Sequence, residues 1–87
     1  MVYYGAVFMV EAYILINSEP MRVWEIAQEA RRIEGVKMAH AVTGQFDVVA
    51  YAEFSNIDVL RGIIDKLGSL KGVRRTQTAV AIPPRLE

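Results

Sequence analysis

The 87-residue sequence lacks cysteine and has a single histidine, three prolines and six glycines. Without cysteine, one chain can form neither a disulfide bond nor a thiolate metal site. A single histidine also leaves too few ligands for the common metal geometries. No nucleophile-base pair, phosphate-binding loop or metal-ligand spacing is present. The sequence therefore predicts no metal, no cofactor and no catalytic residues.

The sequence also lacks an excess of charge, because ten basic and ten acidic side chains give a formal net charge of zero. Nucleic-acid binding and anionic-membrane binding usually require a basic surface, so neither is expected. The apolar N-terminal stretch MVYYGAVFMV is followed at once by Glu11. It is shorter than the roughly 20 residues of a membrane span and has no basic flank of a signal peptide. These absences predict a soluble cytoplasmic protein.

What the sequence does contain is a strand-helix-strand order that occurs twice. Residues 10–17 form a predicted strand, and Ser18 with Pro20 gives the start signal of a helix. Gly35 ends that helix. The apolar stripe of the first helix is Val23, Ile26, Ala27, Ala30 and Ile33, and that of the second is Leu60, Ile63, Ile64, Leu67 and Leu70.

A hairpin joins the two halves. Its predicted strands, residues 36–43 and 46–54, flank a two-residue turn at Gly44 and Gln45. Ser55 and Asp58 resemble a capping box at the start of the second helix, and the last strand ends at a proline pair, residues 83–84.

The two halves form an internal repeat. Gly35 and Gly72 are each followed by valine and lie 37 residues apart, and the same shift superposes both helix stripes. Two such units make βαββαβ, and right-handed crossovers place both helices on one face of a four-stranded antiparallel sheet. The predicted fold class is therefore α+β and ferredoxin-like.

Both faces of the predicted sheet are apolar, although a helix-free face in a monomer is normally polar. Ile14, Ile16, Val48, Ala50 and Ala52 point one way, and Tyr13, Leu15, Val49 and Tyr51 point the other. Burying those last four side chains would stabilise the protein by roughly 1.5 to 3 kcal/mol each. The sum is comparable with the whole stability of a small domain, about 5 to 15 kcal/mol. We therefore expect a homodimer that pairs through this face, with interface residues Tyr13, Leu15, His40, Val49 and Tyr51.

Two motifs at this spacing carry a family resemblance. T-G-Q-F-D at Thr43–Asp47 and G-V-R-R-T-Q-T at Gly72–Thr78 resemble the effector domain (RAM, regulation of amino acid metabolism) of the Lrp/AsnC transcriptional regulators. The resemblance covers about residues 9–83, which leaves an N-terminal extension (1–8) and a short C-terminal tail (84–87). It implies dimerisation through the sheet as in a dimeric α/β barrel, assembly into a ring such as an octamer or decamer, and an amino-acid effector bound between dimers.

The N-terminus departs from the family pattern. Members that act as transcription factors carry an N-terminal helix-turn-helix domain, for which the residues before Met9 are too few. Met9 is itself an alternative start. The sequence is therefore expected to be a stand-alone effector domain, which modulates transcription by assembling with a full-length Lrp/AsnC regulator or by changing the level of a shared ligand.

The hairpin is the predicted effector site. Backbone N–H groups of residues 44–46 suit a ligand carboxylate, and Asp47 suits its ammonium group. Alternatively, Asp47 caps its own turn or bonds a neighbouring chain. Thr76 and Thr78 face the same way along their strand, although threonine also simply suits strands. The predicted ligand-binding residues are Thr43, Gly44, Gln45, Phe46, Asp47, Thr76 and Thr78; the basic cluster Lys71, Arg74 and Arg75 is interpreted as a solvated strand end.

Two other classes of protein share this plan. Small ferredoxin-like dimers catalyse cofactor-free oxygenation or handle haem, and such chemistry would need His40 or Asp47 in the cavity between sheet and helices. An ACT-type amino-acid sensor would instead bind its ligand at the loop after the first strand, around residues 17–20. The expected class is a binding domain and not an enzyme.

Overall fold

The structure is a computed structural model that describes residues 2–4 and 7–83, with side chains described from residue 9 onward. The predicted C-terminal tail and parts of the predicted extension lie outside the described residues. The elements, in chain order, are β1 (Val2–Tyr4), β2 (Val7–Ser18), α1 (Val23–Ala30), β3 (Val36–Ala41), β4 (Val48–Phe54), α2 (Ile57–Gly68) and β5 (Val73–Val80).

The main sheet has four antiparallel strands in the order β3-β4-β2-β5. The long central strand β2 pairs with β4 on one edge and with β5 on the other. It begins at Val7, three residues before the predicted start, and its first residues pair with β1. This order, with α1 between β2 and β3 and α2 between β4 and β5, confirms the ferredoxin-like βαββαβ fold.

A single apolar core lies between the sheet and the two helices. Both predicted helix stripes contribute to it, together with the strand residues predicted to point that way. The largest fully buried side chains are Ile14, Ile16, Ile26, Val48 and Leu67. Ile33 and Leu70, which end the predicted stripes, lie beyond the helices and pack at the margin of the core.

The internal repeat is visible in the backbone. Gly35 and Gly72 both have positive φ angles, 98° and 91°, and β3 and β5 begin directly after them. A turn of 3-10 helix at Pro20–Arg22 precedes α1 and corresponds to the first turn of α2 under the 37-residue shift.

The predicted two-residue turn of the hairpin is wrong. The Val42 N–H donates to the Asp47 carbonyl oxygen (2.9 Å), so the loop contains the four residues 43–46. Gly44 has a positive φ angle of 108° within this wider loop.

The predicted helix cap is displaced by one residue. Asn56, and not Ser55, caps α2, because its Oδ1 accepts a hydrogen bond from the Val59 N–H at 3.1 Å. Asn56 has the extended backbone that an N-cap residue requires.

Candidate functional site

The β3-β4 hairpin meets the end of β2 at one end of the sheet, and Asp47 fixes the two together. Its backbone N–H donates to the Ile16 carbonyl oxygen (2.9 Å), and its Oδ2 accepts from the Ser18 N–H (2.8 Å). Ser18 is only 5% exposed, so its N–H needs a partner within the protein. The acid is tolerated beside two apolar strands because it satisfies this N–H.

Asn17 links the same hairpin to β5. Its Nδ2 donates to the Gln45 carbonyl oxygen (2.8 Å), and its Oδ1 accepts a long hydrogen bond from Arg75 Nη2 (3.5 Å). Gly44, at the tip of the loop, has open space around it. We refer to this cluster as the hairpin site, defined by Asn17, Gly44, Gln45, Asp47 and Arg75.

Sequence reasoning missed two members of the hairpin site. Arg75 was expected to be a solvated strand end, and Asn17 entered only as part of the rival ACT-type loop. A signal for Asn17 was present, because it follows Tyr13 and Leu15 on the same strand face and lies at the end that the hairpin reaches. The remaining predicted hairpin residues, Thr43 and Phe46, belong to the same four-residue loop, the first exposed and the second half-buried.

Thr76 and Thr78 share a strand face as predicted, but the structure does not bring them to the hairpin. They pair with Ile16 and Ile14, so they lie on the helix side of the sheet, half-buried. Strand β2 separates them from β4, so Thr76 lies about 10 Å from Val48 at two strand spacings. Within one chain, a ligand at the hairpin tip does not reach these hydroxyls.

The five predicted interface residues do share one face. Tyr13 pairs with Tyr51 across the β2-β4 ladder, and Leu15 and His40 both lie opposite Val49. The Tyr13 and Tyr51 rings are 5.3 Å apart between centroids. Because their neighbours along each strand point into the core, all five lie on the helix-free face. Tyr13 is 42% exposed and His40 is exposed, whereas the other three are half-buried, so the described residues leave this face partly uncovered.

An acidic pair lies at one end of the helix-free face. The Tyr51 hydroxyl lies 2.7 Å from Glu11 Oε2 and 2.8 Å from Glu53 Oε2. Burial raises the pKa of Tyr51, and the two carboxylates raise it further because they disfavour a phenolate. The hydrogen bond from Tyr51 in turn lowers the pKa of Glu11. A hydroxyl has one proton, so it donates to one carboxylate at a time.

Other site types find little support in the described part of the chain. Residues 9–83 contain no group of three side chains placed to bind a metal ion. None of the helices described is long and apolar enough to span a membrane. A surface cavity of about 530 Å³ lies at the sheet end opposite the hairpin, between Lys37, Phe54 and Lys66, and includes no predicted ligand residue.

Comparison with known proteins gives a family match over most of the chain. The model of the Lrp/AsnC ligand binding domain matches residues 11–84. An uncharacterized HTH-type transcriptional regulator from Pyrococcus horikoshii is 36% identical over 74 residues, which cover 80% of this chain and 49% of the relative. The chain thus spans about half the length of the curated relatives it matches.

Solved structures show the same fold. The crystal structure of TTHA0845 from Thermus thermophilus aligns with a TM-score of 0.83 at 26% identity, covering 90% of this chain and 99% of that one. The transcriptional regulator NMB0573 from Neisseria meningitidis, solved as a complex with L-Met, aligns with a TM-score of 0.76 at 21% identity. That alignment covers 100% of this chain and 63% of the regulator.

Proposed function

The chain belongs to the Lrp/AsnC family through its ligand-binding domain, and we propose on that premise that it binds a free amino acid at the hairpin site and assembles with other copies. Relatives of the family are named transcriptional regulators. In this proposal the domain acts in transcription by assembling with a full-length Lrp/AsnC regulator or by changing the level of a shared ligand.

The observation that carries the ligand proposal is the pair of opposite charges on either side of Asn17. Arg75 supplies a guanidinium for a ligand carboxylate, and the exposed loop backbone around Gly44 supplies N–H donors. Asp47 supplies the acceptor for an ammonium group, since its Oδ1 accepts no hydrogen bond from the described residues. An α-amino acid carries both of these charged groups. The L-Met complex of the Neisseria regulator supports this ligand class.

The two threonines fit a site that a second copy completes. Because Thr76 and Thr78 lie beyond β2 from the hairpin, they contribute to ligand binding only where two copies meet. A site shared between copies couples ligand binding to assembly, because the ligand then stabilises the assembled state by its differential affinity.

The helix-free face supports a homodimer as the first unit of assembly. Its residues are mostly apolar and are left partly exposed by the described part of the chain, and a second copy paired sheet to sheet buries them. Dimers then associate into a larger ring.

The rival functions find less support. His40 is exposed on the helix-free face, and not in the cavity between sheet and helices where an oxygenase-type dimer would use it. The ACT-type loop is not a separate site, because Asn17 and Ser18 are hydrogen-bonded to Gln45 and Asp47. Mutating either segment therefore disturbs the same cluster.

Native mass spectrometry of the purified protein, alone and with each common amino acid, tests both parts of the proposal. We expect masses that are multiples of a dimer, and one amino acid that binds or shifts them. A bare dimer that no amino acid alters would overturn the ligand part. A folded monomer at micromolar concentration would overturn the assembly part.

A further inference from the structure

Strand β5 forms one edge of the main sheet and presents a regular row of backbone groups on its free side. The Ala81 N–H donates to the Glu11 carbonyl oxygen (2.8 Å), and bonded pairs alternate along an antiparallel ladder. Gln77 and Ala79 lie four and two residues before Ala81, so by this alternation their N–H and C=O groups also bond to β2. The residues between them direct these groups to the free edge, which no described strand covers. They are Thr76, Thr78 and Val80, whereas Arg74 lies at the register shift beside Asn17, where this alternation is interrupted.

The two edge strands of the sheet differ in the features that prevent pairing with another chain. Edge strands of monomers usually carry lysine, proline or a bulge that prevents pairing with another chain. Strand β3, at the other edge, has Lys37 and an irregular register between Val36 and Met38. Strand β5 also has a register shift, but only at its start, between Val73 and Arg75. From Arg75 to Val80 it pairs regularly, and its residues 76–80, TQTAV, contain no charge and no proline. The β5 edge is therefore open to a further strand.

The flank of α2 above this edge is apolar as well. The other flank of α2 faces the connection between α1 and β3. An added Cβ on Gly35, in that connection, would lie 2.7 Å from Ile63 of α2. Val59 and Lys66, on the same flank, line the 530 Å³ cavity there. By helix periodicity, Ile57 and Ile64 lie on the other side, toward β5. Ile57 is 65% exposed, and these residues line a shallow groove of about 240 Å³ together with Leu60 and Arg61.

We propose that β5 pairs antiparallel with β5 of a second copy, about a two-fold axis at Gln77. This register places Thr76 opposite Thr78 of the second copy, and Thr78 opposite its Thr76. These two pairs form about four N–H···O bonds, at two per bonded pair. A register centred on Arg75 would instead place like charges directly opposite, which is unfavourable.

The same two-fold axis explains the apolar flank of α2. Antiparallel pairing of two edges continues the sheet, with the helices of both copies on the same side. The α2 helices then flank the seam, and Ile57 and Ile64 of each copy face the other copy. One surface therefore combines unpaired backbone groups with exposed apolar side chains, and a copy of the chain complements both.

This contact goes beyond the proposed sheet-to-sheet dimer, because it uses the edge of the sheet and not its face. The edge contact depends on the proposed function only for the statement that it joins dimers to one another. It does not require a bound ligand. Two different two-fold contacts on one chain link dimers into a closed ring or a continuous chain.

Hydrogen exchange of the unmodified protein without amino acid tests the pairing residue by residue. We expect the amides of Thr76 and Thr78 to be protected to within about tenfold of the inward-facing amides of Gln77 and Ala79. If the outward amides exchange at the rates of unfolded peptides while the inward ones stay protected, the edge is free and the inference is wrong.

A proline variant provides the second test. Thr78→Pro removes an outward N–H and leaves the bonds to β2 intact, since proline is tolerated at solvent-facing edge positions. Thr78→Val, which keeps the N–H, is the matched control. By light scattering without amino acid, we expect Thr78→Pro to fall to dimers and Thr78→Val to keep the native mass. Equal masses for the two folded variants would overturn the inference. If Thr78→Pro does not fold, the hydrogen-exchange measurement on the unmodified protein decides instead.

A charge on the helix-free face separates this inference from the proposed dimer. Leu15→Asp is expected to leave dimers that are paired through β5, and the double variant Leu15→Asp, Thr78→Pro to be monomeric. If Leu15→Asp keeps the native mass while Thr78→Pro lowers it, the edge contact stands and the sheet-to-sheet dimer fails. The opposite pattern overturns the edge contact alone.

Discussion

The Asp47 carboxylate accepts a hydrogen bond from the backbone N–H of Ser18, with Oδ2 and N 2.8 Å apart, although 29 residues separate the two in the chain. This bond ties the hairpin to the segment that leads from β2 into α1. A ligand that contacts Asp47 therefore acts on a group that already holds two parts of the fold together.

Removing the Asp47 side chain should lower stability. Asp47→Ala leaves the buried Ser18 N–H without its acceptor, which we expect to cost about 1 to 3 kcal/mol in the free energy of unfolding. Asp47→Asn is the matched control, because its amide oxygen can still accept this bond. Urea unfolding monitored by circular dichroism measures both. Equal stability of Asp47→Ala and the unmodified protein would show that the bond contributes nothing.

The Asp47→Asn variant also separates a ligand role from a structural one. It keeps an acceptor for Ser18 and removes the negative charge that an ammonium group needs. We expect Asp47→Asn to fold and to lose the rise in melting temperature that the bound amino acid produces. Thermal unfolding with and without that amino acid is the measurement. A full response in this variant would exclude the carboxylate from ligand binding.

Tyr51 should make stability depend on pH at both extremes. Its pKa is raised above the ordinary value of 10.0, so its contribution is complete below pH 10 and is lost as pH rises further, because the unfolded chain ionises first. The pKa of Glu11 is lowered from 4.5, chiefly by the hydrogen bond from Tyr51. The ionised Glu11 therefore contributes stability above pH 4.5, and this contribution is lost as pH falls.

The Tyr51→Phe variant removes the phenol and its hydrogen bond to Glu11, which is the largest cause of the lowered Glu11 pKa. We expect its stability to vary less with pH above 10 and below 4.5 than that of the unmodified protein. Tyr13→Phe, on the same face, is the control. Urea unfolding at a series of pH values gives the slopes. Parallel profiles for Tyr51→Phe and the unmodified protein would contradict the assignment.

A charge on the helix-free face should weaken the proposed dimer. Leu15 lies opposite Val49 in the middle of this face, and burying an unpaired carboxylate there opposes association. We expect Leu15→Asp to raise the dissociation constant of the sheet-to-sheet contact at least about hundredfold, or about 3 kcal/mol. Gln28→Asp, on the exposed side of α1, is the control, and analytical ultracentrifugation is the measurement. An unchanged constant in folded Leu15→Asp would place the contact elsewhere.

Two glycines should respond to alanine in opposite directions. Gly35 has a φ of 98°, and an added Cβ would lie 2.7 Å from Ile63 Cδ1. We expect Gly35→Ala to cost about 1 to 3 kcal/mol of stability. Gly62 lies inside α2 with nothing within 4 Å of an added Cβ, so Gly62→Ala should stabilise the protein by about 0.5 to 1 kcal/mol. Urea unfolding of both variants checks the signs, and a destabilised Gly62→Ala would reveal a crowded flank.

The fold was predictable because its signals are local. The strands alternate with period two, the helix stripes recur at three and four residues, and the glycine repeat marks the starts of β3 and β5. Errors arose where neighbouring residues offer similar signals. Ser55 and Asn56 are both good N-caps, and only the backbone conformation selects Asn56. The width of the hairpin loop likewise depends on which residues of β3 and β4 pair, which a Gly-Gln dipeptide does not determine.

The candidate site was predictable only in part, because its members come from distant segments. The hairpin motif pointed to residues 43–47, and the structure keeps them together. Asn17 and Arg75 join them only because β2 lies between β4 and β5 in the sheet. The same register turns Thr76 and Thr78 to the helix side, away from the hairpin.

The sequence by itself determined the order of the elements from β2 to β5, the repeat, the core positions and the surplus of apolar residues on the second sheet face. Each follows from the spacing of residues along one segment, where backbone geometry fixes which side chains share a face. Only the tertiary structure decided that Asp47 bonds Ser18, that Asn17 bridges the hairpin to β5, and that β5 presents an unprotected edge. These depend on strand order and register, which are set by packing between segments far apart in the chain.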